Sequence, residues 1–419
     1  MGSALGRTFG SLSVRNYRMF FWGQVVSWTG TWVQWVAQGW LVLQLTDSGF
    51  GLGLVTALQW SPVLLLGAYA GVLADRFDKR KVLIWTNISS ALLSLVLGIL
   101  TVTDVVTLWM VIVIALLLGV ATALDNPARQ TFTLEMVGRE RLTNAVSLNT
   151  ATFTTARVIG PAVAGLLITT VGIGEGFLVN AASFIPVTIA LIRMDRTALR
   201  PVPGAEGRKG QIREALRYVA ADPVLRTLLI IMAIIGTLQY NFVVIVPLLA
   251  KETFHGDAGT LGFLGAMLGA GMLVGSLGNA AFGRSDRKIL LGASFGLGLF
   301  TLLASVAPTL TIAAVLFVAV GASSMAFLAT MNSTLQLTST DQMRGRVMAL
   351  YFVLFLGSTP IGAPIVGWLA ESFDPRVAFA LGGVATLGAT LFGALRLPPL
   401  TAAAGRHAPV EGDLELEAN

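Results

Sequence analysis

The chain has 419 residues, of which 55% are hydrophobic and only 12% are charged, and its mean hydropathy is +0.77. A water-soluble protein of this length needs a larger polar surface. The absence of cysteine excludes cysteine-ligated metal sites, and two histidines in expected loops argue against a histidine-based site. The net charge is +6, and the positively charged residues lie between apolar segments. This distribution indicates contact with anionic lipid headgroups and argues against a nucleic-acid partner. We therefore expect an integral membrane protein without metal or cofactor.

Twelve apolar segments, most of them about 20 residues or longer, predict twelve membrane-spanning helices. In chain order they cover residues 17–45, 52–74, 81–103, 107–131, 143–170, 175–194, 224–250, 259–283, 288–307, 309–335, 346–370 and 376–397. We expect five regions: a cytoplasmic segment 1–16, a six-helix bundle 17–194, a linker 195–223, a second bundle 224–397, and a disordered cytoplasmic tail 398–419. Within the linker, residues 211–220 predict a short amphipathic helix.

The basic residues predict the orientation of the chain in the membrane. Of the 28 lysines and arginines, only Lys251 and Arg376 fall on the side opposite the N-terminus, and Arg129 and Arg157 lie within spans, which leaves 24 on the N-terminal side. Cytoplasmic loops carry such an excess of positive charge. The sequence therefore predicts a multi-pass protein of the bacterial inner membrane with both termini in the cytoplasm.

The two halves of the chain share short sequence patterns. Residues 160–165 (GPAVAG) in the fifth span match residues 362–367 (GAPIVG) in the eleventh, and the basic loop 71–81 has a reduced counterpart at 283–288. Two six-helix repeats imply a binding site near the midplane, at the interface between the repeats.

Several segments resemble those of a known transporter superfamily. The loop 71–81 (GVLADRFDKRK), together with the six-plus-six division, resembles the major facilitator superfamily across nearly the whole chain. Residues 125–130 (DNPARQ), residues 138–142 (GRERL) and Arg157 resemble a bacterial drug and siderophore efflux subgroup that includes enterobactin exporters and Tap-type multidrug exporters. The resemblance implies an all-α integral membrane fold with twelve transmembrane helices in two pseudo-symmetric six-helix bundles.

The resemblance also implies residues that control conformational change. In this superfamily the aspartate at the position of Asp75 bonds the start of the eleventh span and stabilises the outward-open state; the same loop contributes Gly71, Arg76, Lys79 and Arg80. The alternative is that the loop only determines topology. Asp78 occupies a position where the superfamily usually has glycine, so the loop can differ in shape.

Gly160 and Pro161 are similar to part of a fifth-span motif of antiporters in this superfamily. Small residues permit close helix packing and proline bends a helix, so a structural role is the main interpretation of both residues.

Three charged residues are expected inside the membrane and are candidates for energy coupling. Asp125 and Arg129 are four residues apart on one helix face, with Pro127 between them, and form either a structural ion pair or a protonatable switch. Arg157 lies about 20 Å into the fifth span, past mid-depth, and must face the cavity. It either anchors an anionic or polar substrate group, couples to Asp125, or bonds backbone carbonyls.

A set of aromatic and amide side chains is expected to line the substrate cavity. Its members are Trp32, Gln34, Trp35 and Gln38 in the first span, Gln59 in the second, and Gln239, Tyr240 and Asn241 in the seventh. Aromatic walls with a few polar groups suit a large amphiphilic molecule. The alternative is that the glutamines bridge helices and the aromatic rings face lipid.

These observations predict a secondary active transporter that exports a hydrophobic or amphiphilic small molecule by alternating access and proton antiport, as a monomer in the bilayer. We expect no enzyme activity, because no catalytic cluster lies in the spans, and no direct use of ATP, because no phosphate-binding loop is present. The alternatives are an uptake permease, an uncoupled facilitator, a lipid flippase, and a membrane receptor that does not transport.

Overall fold

A computed structural model describes residues 9–200, 211–282 and 286–398, and its regular elements there are all helical. After a 3₁₀ turn at Gly10–Ser13, the first half consists of α1 (Arg15–Thr46), α2 (Gly49–Arg76), α3 (Lys79–Val102), α4 (Leu108–Val137), α5 (Leu142–Thr170) and α6 (Ile173–Ile192). The second part consists of α7 (Gln211–Ala221), α8 (Pro223–Leu238), α9 (Phe242–Leu248), α10 (Ala258–Phe282), α11 (Arg287–Ser305), α12 (Leu310–Thr338), α13 (Asp341–Leu356), α14 (Thr359–Ser372) and α15 (Pro375–Arg396).

Twelve helical segments in the described part of the chain are long enough to cross a membrane. Eleven are also sufficiently apolar, with α8 and α9 forming one segment and α13 and α14 another. The twelfth, α1, has 32 residues but carries buried polar side chains such as Gln24, Gln34 and Gln38, which lower its hydropathy. The predicted fold class is confirmed.

Three predicted spans differ from the structure in continuity or by more than three residues in their bounds. The fourth continues to Val137 instead of ending at residue 131. The seventh is interrupted between Leu238 and Phe242 and ends in a π-helical turn at Leu249–Thr253. The eleventh starts at Asp341 and breaks before α14, which has a proline in its first turn. Proline cannot donate the backbone hydrogen bond that would continue a helix, which accounts for the break in the eleventh span. The hydropathy of the sequence does not reveal either break.

The helices form two bundles that meet along two crossings. In the first bundle α1 packs on α5 and α6, α2 on α4, and α3 on α4 and α6; in the second, α10 and α11 pack on α12, and α15 on α8 and α11. Between the bundles, α5 packs on α10 and α2 packs on α14.

The two crossings use the residues of the internal repeat. Gly165 approaches Gly262 so closely that a Cβ atom on Gly165 would lie 2.9 Å from the Gly262 Cα atom. The matching Gly367 of α14 meets Gly49 of α2, where a Cβ on Gly49 would lie 2.8 Å from the Gly367 carbonyl oxygen. Glycine is required at such approaches because any side chain would separate the helices.

An arginine at the start of a helix bonds the end of another helix in each bundle. Arg80 of α3 donates from Nε to the Leu191 carbonyl oxygen at 2.6 Å and from Nη2 to that of Ile192 at 2.8 Å, at the end of α6. Arg287 of α11 likewise donates to the Ala394 carbonyl oxygen in the last turn of α15. These carbonyls have no partner inside their own helices, so the arginines satisfy them.

Asp78 accounts for the departure of loop 71–81 from the superfamily pattern. Its side chain accepts hydrogen bonds from the backbone N–H groups of Arg80 at 3.0 Å and Lys81 at 3.3 Å, which makes it the N-cap of α3. Its backbone is extended (φ −60°, ψ 110°), a conformation that does not need glycine.

The predicted short linker helix is present as α7. It contacts α13 through an ion pair between Glu214 and Arg346 at 2.7 Å and through Tyr218, whose hydroxyl accepts from the Thr340 backbone N–H at 3.2 Å. The predicted disordered tail beyond residue 398, and residues 1–8 of the predicted N-terminal segment, lie outside the described residues.

Candidate functional site

A central cavity lies between the two bundles. Its empty space measures about 600 Å³, part of which is open to solvent. Helices α1 and α5 supply one wall, and α9 and α10 supply the other. The lining residues are Trp32, Trp35, Val36, Arg157, Pro161, Phe242, Val243, Val246, Pro247, Leu261, Gly265, Leu268 and Gly269. Trp32 and Trp35, which were expected to line a substrate cavity, both lie on the wall of this one.

Arg157 is the charged residue of the cavity lining. It lies near the middle of the 29-residue helix α5, and its guanidinium carbon is 5.4 Å from the centre of the Trp32 ring. A cation over an aromatic face is stabilised by the ring quadrupole. No ion pair of the described residues includes Arg157. The described residues also contain no group of three or more histidine or acidic side chains placed to hold a metal ion.

Asp125 and Arg129 form an ion pair inside the first bundle. Arg129 Nε donates to Asp125 Oδ2 at 2.7 Å, its Nη2 donates to the same oxygen, and the Thr86 hydroxyl donates to Asp125 Oδ1 at 2.8 Å. The Arg129 guanidinium also lies 5.9 Å from the centre of the Phe20 ring. Because Asp125 is engaged in this way, the structure does not bring it together with Arg157, as one sequence-based hypothesis required.

Gln34 does not line the cavity, contrary to prediction. It is buried among α1, α3 and α6, where its Oε1 accepts hydrogen bonds from the Ser94 hydroxyl at 2.6 Å and from the Asn180 amide. The bridging alternative is the one that the structure shows. A glutamine inside an apolar bundle is stable there because these partners replace water.

Gln239 and Asn241 are also absent from the cavity lining. Gln239 of the second bundle donates from Nε2 to the Thr301 hydroxyl of α11 at 2.8 Å, which mirrors the bond between Gln34 and α3. Asn241 donates to the Thr237 carbonyl oxygen at 2.7 Å. Both side chains thus form hydrogen bonds within their own bundle.

The remaining predicted cavity residues lie beside the main cavity. Gln38 Nε2 donates to Gln59 Oε1 at 2.9 Å, and both line a smaller pocket that shares Trp35 with the cavity. The Tyr240 hydroxyl donates to the Ser324 carbonyl oxygen at 3.1 Å, and its ring packs edge-on against Phe242 of the cavity wall. These residues form a polar border to an otherwise apolar space.

The predicted gating residues have different surroundings. Lys79 Nζ pairs with Glu135 Oε1 at 3.1 Å, with both side chains buried, and Arg80 bonds the end of α6. Gly160 packs directly on Trp32, and Pro161 lines the cavity. Gly71, Asp75 and Arg76 belong to α2, but the structure does not describe the side-chain surroundings of this part of the helix.

Sequence reasoning missed the wall formed by the second bundle. Phe242, Val246 and Leu261 are ordinary apolar residues in a chain that is rich in them. A usable signal was the spacing of Gly262, Gly265 and Gly269, which places three small residues on one face of α10. The partner of Lys79 was also missed, although Glu135 is an acid near the end of an apolar span.

One end of the molecule joins the two bundles through polar contacts; we call it the Asp47 end. Lys251 Nζ donates to Asp47 Oδ1 at 2.5 Å and to the Leu43 carbonyl oxygen at 2.7 Å. Glu371 Oε2 accepts from the Ser48 hydroxyl at 2.5 Å and from the Phe50 backbone N–H at 2.8 Å. Within the described residues, the hydrogen bonds between the bundles lie at this end.

Comparison with known proteins shows what the chain resembles. The staphyloferrin A transporter of Staphylococcus aureus is 24% identical over 379 residues, covering 89% of this chain and 94% of that protein. The multidrug efflux pump Tap of Mycolicibacterium fortuitum is 30% identical over 359 residues (82% and 86% covered), and the enterobactin exporter of Shigella flexneri is 25% identical over 352 residues (83% of each).

A solved structure and a family model complete the comparison. A bacterial homologue of the human lysosomal transporter Spinster, in an inward-facing, unoccupied conformation, superposes with a TM-score of 0.68 at 16% identity, covering 93% of this chain and 96% of that one, which shows the shared fold. The family model described as transmembrane secretion effector matches residues 7–416. The chain therefore belongs to the transmembrane secretion effector family and is a multi-pass membrane transporter of the major facilitator superfamily.

Proposed function

We propose that this transporter exports a hydrophobic or amphiphilic small molecule across the bacterial inner membrane by alternating access. The observation that carries the proposal is the aromatic and apolar cavity between the bundles, whose described lining residues include one charged side chain, that of Arg157. Transporters of this type place their substrate site near the midplane, at the interface of their repeats. The direction of transport is supported by the relatives, which include a multidrug efflux pump and an enterobactin exporter.

Alternating access requires that the bundles tilt against each other around the cavity. The α5–α10 and α2–α14 crossings meet through glycines, so the bundles touch by backbone surfaces with few interlocking side chains. Opening of the Asp47 end then requires loss of the Lys251 and Glu371 contacts. Such rigid-body motion of packed units about an interface is a common form of conformational switch.

The orientation of the chain follows from the distribution of its basic residues. With 24 of the 28 lysines and arginines on the side of the N-terminus, both termini are in the cytoplasm and the Asp47 end faces the periplasm. The loop 71–81 then lies at the cytoplasmic end. From its resemblance to the superfamily we assign to Asp75 the bond to the start of the eleventh span that stabilises the outward-open state. We assign the transporting unit to a monomer, because one chain supplies both walls of the cavity.

We assign the driving force to proton antiport through Asp125. Protonation of this carboxylate removes its negative charge and so weakens its bond to Arg129, whose Nη1 atom is buried without a partner and is available to another acceptor. A carboxylate inside a span is costly and usually serves a pairing or a pathway. The alternative is that the pair only stabilises α4 at the kink expected from Pro127.

The test is efflux from proteoliposomes with and without an imposed proton gradient, using a panel of ethidium, a macrolide and an iron-free siderophore. We expect gradient-dependent efflux of at least one compound in the parent protein. Asp125→Asn should abolish the gradient dependence and retain exchange of the same compound across the membrane. The exposed acid Glu140 supplies the control, Glu140→Gln, which should behave as the parent.

Each other outcome selects a rival function. Efflux that ignores both the gradient and Asp125→Asn indicates an uncoupled facilitator. Flux only in the opposite direction indicates an uptake permease, and movement of phospholipid probes without flux of the panel indicates a lipid flippase. A folded protein that moves none of these compounds would favour a receptor.

A further inference from the structure

We propose that the ligand of the central cavity is an anionic amphiphile and that Arg157 pairs with its anionic group, a carboxylate in the simplest case. The inference rests on the proposed function, since it specifies the substrate class of the same cavity. It concerns what the cavity binds, and it can be tested without transport.

The first argument is that Arg157 has a charge without a counter-ion. Among the residues that the structure describes, no acidic residue lines the cavity. Asp125 is engaged by Arg129 and Thr86, and Glu135 is engaged by Lys79. A cationic side chain at mid-depth of a membrane protein is costly unless it is paired or solvated, so the cavity is poised to accept a negative group.

The second argument is that the unpartnered polar group of the ring against Arg157 is also a donor. The Trp32 indole N–H is buried without a hydrogen-bond partner, and the Trp32 ring holds the guanidinium on its face. A carboxylate supplies only acceptors and matches the guanidinium fork, which makes it a better partner for this set than an amide or an ammonium group.

The third argument concerns the rest of the ligand. Beyond Arg157 the walls are indole rings, Phe242 and aliphatic side chains, so the remaining ligand surface must be apolar or aromatic. A cation of the same size would meet the uncompensated positive charge of Arg157 and lose affinity. The occupant is therefore an apolar body with one anionic group.

The same anion chemistry has two sources, the substrate itself and an inorganic anion such as chloride. The experiment separates them with three probes of nearly equal apolar surface: 1-pyrenebutyrate, 1-pyrenebutanol and 1-pyrenebutylamine. Each is titrated against the purified full-length protein in nanodiscs, with empty nanodiscs subtracted, first in chloride buffer and then in gluconate buffer.

The proposal predicts that pyrenebutyrate binds about tenfold or more tightly than pyrenebutanol, and pyrenebutylamine weakest, because a hydrogen bond to a charged group carries this preference. Arg157→Gln should remove the preference for the butyrate, Arg157→Lys should retain most of it, and Trp32→Phe should retain part of it. Arg226→Gln removes an exposed arginine outside the cavity and should behave as the parent.

Three outcomes would overturn the proposal. The first is equal binding of the butyrate and the butanol. The second is an unchanged preference in both Arg157→Gln and Trp32→Phe, with thermal unfolding used to verify that each variant is folded. The third is a preference that exists only in gluconate and vanishes in chloride, which assigns the site to an inorganic anion. A protein that binds pyrenebutyrate as predicted but transports nothing would refute the proposed function and leave this inference standing.

Discussion

Lys251 connects the two bundles by binding the end of α1 twice, through Asp47 Oδ1 at 2.5 Å and through the Leu43 carbonyl oxygen at 2.7 Å. Asp47 caps the C-terminus of α1 with a left-handed backbone (φ 47°, ψ 28°), which directs it to the lysine. A cation is favoured at a helix C-terminus, and Glu371 adds an anion at the N-terminus of α2. The second bundle therefore contacts both sides of the α1–α2 turn with complementary charge.

Loss of Lys251 is expected to open the Asp47 end without unfolding the protein. The Asp47 side chain is 82% exposed, so the pair contributes about 1 kcal/mol or less, which is small for folding but sufficient to change the populations of two states severalfold. Because the chain has no cysteine, spin labels at Thr103→Cys and Val306→Cys report the separation of the bundles without background. Lys251→Met should increase the population at long distance.

Lys251→Arg is the matched control and should keep the short distance, since arginine retains the charge and the donors. Glu371→Gln should act in the same direction as Lys251→Met, because it weakens the second contact at the same end. An unchanged distance distribution in both Lys251→Met and Glu371→Gln would show that these contacts do not hold the closed end.

The ion pair of Asp125 and Arg129 is expected to contribute to stability as well as to coupling. Asp125→Asn leaves Arg129 with a weaker partner in a site where each side chain is only 15% exposed. Breaking a buried pair costs about 3–5 kcal/mol, and partial exposure reduces this figure. We expect Asp125→Asn to lower the thermal unfolding temperature in detergent, and the double variant Asp125→Asn/Arg129→Gln to recover part of the loss.

The exposed pair of Asp341 and Arg344 is the control for this prediction. Its side chains are 88% and 45% exposed, and Asp341→Asn should change the free energy of unfolding by about 0.5 kcal/mol or less. Equal effects of Asp125→Asn and Asp341→Asn would contradict a structural contribution from the membrane-embedded pair.

The sequence was sufficient for the features that depend on local composition or on a short spacing along the chain. Apolar segment lengths predicted the spans, and the interval of four residues predicted that Asp125 faces Arg129. The repeat at residues 160–165 and 362–367 predicted the pseudo-symmetry that Gly165 and Gly367 display at the two crossings.

The rotation of each helix about its axis and the long-range contacts could not be predicted from the sequence. Every face of α1 is rich in apolar residues, so periodicity did not distinguish the face of Gln34, which points into the bundle, from that of Trp35, which lines the cavity. The contact between Asp47 and Lys251 joins residues 204 positions apart, and nothing local specifies it. Physical partners found only in the folded state decide both features.

The two buried glutamines are expected to affect stability, whereas the cavity tryptophans are expected to affect ligand binding. Gln34→Met removes the oxygen that accepts from both the Ser94 hydroxyl and the Asn180 amide. Gln239→Met removes the amide that donates to the Thr301 hydroxyl oxygen. Each lost hydrogen bond contributes about 0.5–1.5 kcal/mol to the free energy of unfolding, so both variants should unfold at lower temperature.

Trp35→Ala is the counterpart, since it removes a cavity wall. We expect it to weaken binding of the pyrene probes severalfold with a smaller change in unfolding temperature, while Gln34→Met keeps the affinity of the parent. A large loss of affinity in Gln34→Met, with normal stability, would show that Gln34 lines the cavity after all.

Gly262 is expected to be essential for the contact between the bundles. A Cβ atom at this position would lie 2.6 Å from the Gly165 Cα atom and 2.7 Å from the Pro161 carbonyl oxygen, so alanine would force α5 and α10 apart. Gly278→Ala on the same helix is the matched control, because nothing lies within 4 Å of its Cβ position. There alanine should be neutral or stabilising by up to about 1 kcal/mol, since it favours the helix more than glycine does.

The measurement is the unfolding temperature together with the label distance between Thr103→Cys and Val306→Cys. Gly262→Ala should lower the temperature and lengthen the distance, because the bundles pack there by backbone contact and the added methyl has no free volume. Gly278→Ala should change neither in that direction. If the two glycines responded alike, the effect would come from helix propensity, and the close approach of α5 and α10 would have no part in holding the bundles together.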